Sequence, residues 1–162
     1  IVRPRPRGDD SITITAMEAF RKQALTAPGR LFPTFEVIDQ TGRTVRSSDL
    51  RGRIVLLDFW MPESVVWRRN VPNLLKVYRD FHARGFEIVG LCLSRSPARV
   101  EAFLSEQRLP WIVVVGNESV AAQVGLFGEL GNFLLDANGV IVARNLSGAD
   151  LSSAVEQATG RK

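Results

Sequence analysis

Two uninterrupted apolar runs stand out along the chain, Ile54 to Trp60 and Phe86 to Leu93, and the stretch between them repeats its apolar residues at helical spacing. In the first run only Asp58 breaks the apolar character, the pattern of a parallel strand covered on both faces. A helix is expected from Ser64 to about Ala83, with Val71, Leu74, Leu75, Tyr78 and Phe81 on its buried stripe. Ser64 suits its N-cap, and Pro72 inside it removes one backbone hydrogen bond and predicts a kink. Gly85 then ends the helix and leads into the second strand, giving a βαβ unit.

The rest of the chain arranges itself around this unit. Residues 1–10 alternate Arg and Pro and read as an extended tail; a short amphipathic helix follows from Thr15, carrying Met17, Phe20 and Leu25, and Pro28-Gly29 stops it. Phe32 to Val45 predicts two short strands about Gly42. After Leu93, a helix capped by Ser94 or Ser96 runs from about Pro97 to Gln107, a strand covers Trp111 to Val115, and a short helix covers Glu118 to Val124. Phe133 to Val142 is a hairpin with its turn at Asn138-Gly139, and a last helix spans Ala149 to Thr159. The order predicts an α/β domain, a central mixed sheet with helices on both faces, over 32–162, preceded by a tail and helix over 1–31.

Composition narrows the possibilities. A chain of 162 residues, 45% hydrophobic, fits a single core. No apolar stretch approaches the roughly 20 residues of a membrane span. The net charge is +4 and the basic residues are mostly arginine, but they are scattered from Arg3 to Arg161, which argues against a nucleic-acid interface. The absence of an initiator methionine suggests a processed or excised piece. The one cysteine, Cys92, excludes an internal disulfide and any cysteine-based metal cluster.

Phe59-Trp60-Met61-Pro62-Glu63-Ser64-Val65-Val66-Trp67, followed by Val71-Pro72-Asn73-Leu74, resembles the active-site frame FWATWCxxC…MPNL of the TlpA/ResA-like redoxins, the thioredoxin-fold members of the AhpC/TSA group. Phe32 to Arg53 is similar to their PxFxLxDxxGxxVxLSDLRGK segment, and Phe133 to Ile141 to their FLIDxxGxI hairpin. The resemblance covers about Phe32 to Thr159 and implies a thioredoxin-like fold with a redoxin-type N-terminal extension. Residue on residue, it places the two redox cysteines at Ser64 and Trp67 and the cis-proline at Leu130. All three are replaced, so the frame is kept without its dithiol chemistry. Because family members often act outside the cytoplasm, the resemblance also favours an extracytoplasmic location.

Other chemistry at these residues is poorly supported. A serine nucleophile at Ser64 needs a base, and the only histidine, His82, lies eighteen residues on, roughly 27 Å along one helix. The peroxidatic pattern PxxxTxxC, started at Pro62, falls on Val66 and Arg69. No cofactor or metal is implied. Cys92 lies in an apolar run and reads as core; residual oxidoreductase or antioxidant activity through it or a partner's thiols is the alternative. Trp67 either plugs the old site, packing over Trp60 and Leu130, or anchors a partner. The favoured function is a non-catalytic protein- or peptide-binding or scaffolding module. Its groove would be formed by Trp60, Met61, Pro62, Glu63, Ser64 and Trp67 on one side and Glu129, Leu130 and Gly131 on the other.

Overall fold

The computed structural model describes residues 10–116, 118–126 and 130–160. The two apolar runs form the middle of a five-stranded sheet: β3 (Ile54–Trp60) pairs in parallel with β4 (Phe86–Cys92), with Leu57 opposite Val89 and Trp60 opposite Cys92. On its other side β3 pairs antiparallel with β6 (Gly131–Leu135), which pairs antiparallel with β7 (Ile141–Arg144). Strand β5 (Ile112–Val115) lies parallel on the far edge of β4, giving the order β5-β4-β3-β6-β7. Strands β1 (Glu36–Ile38) and β2 (Thr44–Arg46) form a separate hairpin, joined to the edge of β5 through the bridge between Asp39 and Val114.

Because side chains alternate along a strand, β3 feeds two cores. Val55, Leu57 and Phe59 point into one, shared with Phe32, Phe35, the β1–β2 hairpin and α4 (Glu118–Gln123). Leu56 and Trp60 point into the other, shared with α2 (Val65–Phe81), α3 (Pro97–Glu106) and α5 (Gly148–Gly160). Asp58 shares the second face. Helix α2 runs unbroken through Pro72, and its buried residues are Trp67, Val71, Leu74 and Val77. Leu75, Tyr78 and Phe81, expected on the buried stripe, are only partly buried, since the stripe is centred on Leu74 and Val77 instead. A 3-10 turn, His82–Arg84, and Gly85 in the left-handed region (φ 87°) end the segment and turn the chain into β4.

Gly90 in β4 reflects a close approach. A Cβ there would lie 3.0 Å from Trp60 Nε1 and 3.1 Å from Trp111 Nε1, so two indoles pack where any other residue would crowd them.

The N-terminus departs from the sequence reading. Helix α1 spans Asp10–Leu25 and so begins before Thr15, inside the stretch assigned to the tail; residues 1–9 lie outside the described residues. Three of its apolar residues, Met17, Phe20 and Leu25, are exposed. The Lys22 ammonium donates to the carbonyl of Ala122 at 3.0 Å, which ties α1 to α4.

Candidate functional site at the β3–α2 turn

The C-terminal end of β3 and the N-terminal end of α2 are joined by Met61-Pro62-Glu63-Ser64. Ser64 is the N-cap of α2: its Oγ accepts the Trp67 N–H at 3.1 Å, satisfying one of the free donors of the first turn. Its carbonyl accepts the Arg68 N–H at 3.0 Å and starts the helix. The group at this helix N-terminus is thus a capping hydroxyl.

Trp67 is turned inward and is 6% exposed. Its ring stacks on Trp60 at 4.5 Å between centroids, 22° from parallel, and Phe103 of α3 meets both indoles at 5.6 Å. Its Nε1–H donates to Asp58 Oδ2 at 2.7 Å. The indole therefore plugs the site, held by apolar stacking on one side and a hydrogen bond into the sheet on the other.

Asp58 has no cationic partner among the described residues. Burial pushes its carboxyl up to about 6, and the hydrogen bond from Trp67 only partly opposes that. In the sheet it lies between Gly90 and Asn132. Asn132 fixes the neighbouring strand: its Nδ2 donates to the Leu146 carbonyl and its Oδ1 accepts the Leu146 N–H, both at 2.8 Å.

Of the nine positions expected to line a groove, Glu129 lies outside the described residues. Met61, Glu63, Ser64, Leu130 and Gly131 are half-buried at the sheet edge. Pro62 is buried, and Trp60 and Trp67 lie beneath the surface, 0% and 6% exposed, so neither indole can touch a ligand without moving; stacking and the Asp58 bond hold them in. The apolar residues that do face solvent at the start of α2 are Val65 and Val66, 50% and 79% exposed. The sequence reading passed over them as the spacers between the two cysteine positions.

A second connection was also missed. Ser94, just after β4, donates its hydroxyl to Glu63 Oε1 at 2.6 Å, linking the β3–α2 turn to the turn before α3. The pairing joins residues 31 positions apart, and no local pattern announces it. The other two chemical candidates lie elsewhere or too deep. Cys92 is 0% exposed, and burial raises its thiol to about 11. His82 sits at the other end of α2, stacked on Tyr78 at 4.4 Å, its Nδ1 2.9 Å from the Phe86 carbonyl oxygen.

The mixed sheet, the serine-capped helix leaving the end of its central strand, and the hairpin that follows define a thioredoxin-like domain. The profile of the AhpC/TSA family matches residues 28–144, and the chain belongs to that family, as a TlpA/ResA-like member whose single cysteine leaves it without a CxxC motif. It is 28% identical over 123 residues to the thiol-disulfide oxidoreductase ResA of Geobacillus thermodenitrificans, covering 75% of this chain and 71% of that one. Among solved structures it resembles the thioredoxin domain of a thiol-disulfide oxidoreductase from Bacteroides vulgatus, at 32% identity and a TM-score of 0.74, over 81% of this chain and 96% of that one. A thiol:disulfide interchange protein from a Bacteroides species is similar too, at 31% identity and a TM-score of 0.74, over 84% and 93% of the two chains. No helix of the described residues is long and apolar enough to cross a membrane.

Proposed function

We propose that this domain binds a protein or peptide segment at the edge formed by Met61 to Val66 and Leu130 to Gly131 and does not exchange disulfides there. The observation that carries this reading is the division of labour in the first turn of α2. Trp67, at the second cysteine position, is locked inward, while Val65 and Val66 hold apolar surface in solvent beside it. Exposed valines at the end of a rigid helix, backed by stacked indoles, offer a preorganised contact surface that costs little ordering entropy to use. The domain acts as a binding or scaffolding module, and resemblance to its family favours a place outside the cytoplasm.

The alternative, a residual oxidoreductase activity, would use Cys92 or a partner's thiols, and two features oppose the first route: the thiol is buried, and its thiolate is disfavoured at neutral pH. Insulin reduction with dithiothreitol, run beside retention of the domain on an array of peptides of about twelve residues, tests the reading. Peptide retention that falls in Val66→Asp, with no insulin turnover above blank, supports it. Turnover that disappears in Cys92→Ser would replace it with the oxidoreductase alternative.

A further inference from the structure

Beside the turn, the start of α2 and one face of α3 flank an open cleft of about 420 Å³ lined by Pro62, Glu63, Arg68, Arg99, Phe103 and Glu106. We propose that this cleft receives a carboxylate side chain from an acidic segment of a partner protein. The proposal rests on the reading of the adjacent edge as a protein-binding surface and names the partner's chemistry.

Three features of the cleft support an acidic occupant. Arg68 and Arg99 reach it from two different helices, and neither guanidinium is hydrogen-bonded or ion-paired among the described residues. Each stands in the first turn or so of its helix, where the free N–H ends add positive potential. A guanidinium on each of two helices lining one cleft offers forked donors of the kind that suit a carboxylate. Two acidic residues, Glu63 and Glu106, also line the cleft and carry negative charge, so the incoming carboxylate is seated at the arginine side. Glu106 follows Arg99 by seven residues on the same face of α3, roughly 10 Å further along the axis. Glu63 is already committed through Oε1 to the Ser94 hydroxyl, while its Oε2 is buried and has no partner. A main-chain N–H of an incoming segment, admitted by a small shift of the side chains covering that oxygen, supplies the missing donor. Phe103 and Pro62 give the segment an apolar floor continuous with the Trp60–Trp67 stack.

The test is an array of peptides of about twelve residues, each apolar core printed with acidic, neutral and basic flanks. The wild-type domain should retain acidic-flanked peptides about tenfold better than neutral ones at low salt, with the difference shrinking as salt is added. Arg68→Glu/Arg99→Glu should lose the preference while keeping neutral peptides. The charge-matched pair Arg21→Glu/Arg43→Glu, on α1 and the β1–β2 turn, should keep it, which separates the cleft from the protein's overall charge. An acid preference that is absent in the wild type, or equally reduced in both pairs, overturns the cleft proposal. If Val66→Asp still weakens neutral peptides in that case, the binding edge survives. Retention of no peptide by the wild type overturns both.

Discussion

Two buried carboxylates on neighbouring strands are treated in opposite ways. Glu87, at the start of β4, is 5% exposed and well supplied: Arg53 Nη1 lies 3.1 Å from Oε2, and the Ile88 N–H donates to Oε1 at 2.9 Å. Asp58, near the end of β3, is 4% exposed and, among the described residues, receives only the indole N–H of Trp67. A buried carboxylate is stabilised by a cation or by several donors, and a single neutral donor leaves most of the desolvation uncompensated. The end of the sheet away from the site is thus built for stability, while the end under the site holds a polar group at a cost. Retained strain of this kind is concentrated where a fold does its work.

The largest expected effect comes from breaking the poorer of the two arrangements. Trp67→Ala removes the stack on Trp60 and the indole donor to Asp58, and urea denaturation should show a loss of about 3–5 kcal/mol. The second prediction sharpens the contrast without opening a cavity. Asp58 binds its proton more tightly folded than unfolded, so its contribution to stability is complete below about 3.8 and is lost as pH rises through about 6. The gap between 3.8 and about 6 corresponds to roughly 3 kcal/mol. Asp58→Asn keeps an oxygen for the Trp67 indole and has no charge to desolvate. Its stability relative to the wild type should therefore rise between pH 4 and 7 by up to that amount, the other carboxyl groups cancelling in the difference. A flat difference would mean that Asp58 titrates normally. At the other end, Arg53→Ala should cost only about 1 kcal/mol, because Arg53 is half-exposed and Glu87 keeps the Ile88 N–H. Smallest of all, Val66→Asp should change stability by less than about 0.5 kcal/mol, since the side chain it replaces is already in solvent.

This contrast also marks what the sequence makes legible. The strands Ile54–Trp60 and Phe86–Cys92 and the helix between them are carried by long apolar runs and a strong period, and the order of elements follows from them. Ser64 was recognisable as a cap because capping is local. The pairing of Asp58 with Trp67 was not, because it spans a turn and depends on which way one indole faces; nor was the link between Glu63 and Ser94, which crosses two strands. Helix α1 begins earlier than its weak apolar spacing predicts, and Met17, Phe20 and Leu25 on it are exposed. Val65 and Val66 were overlooked for a different reason: pattern matching directs attention to the replaced cysteines, and exposure is visible only in three dimensions.

The central claim, that the first turn of α2 is a contact surface rather than a reactive one, is tested most directly by NMR. Amide shifts of the isotope-labelled domain would be followed as the best-retained array peptide is added under reducing and then oxidising conditions. The account predicts shifts confined to Met61 to Val66, Arg68, Arg99 and Leu130 to Gly131, identical in both conditions, with the Trp67 indole signal kept in its hydrogen-bonded position. Shifts centred on Cys92 and dependent on the redox state, or a peptide footprint away from the β3–α2 turn, would contradict it.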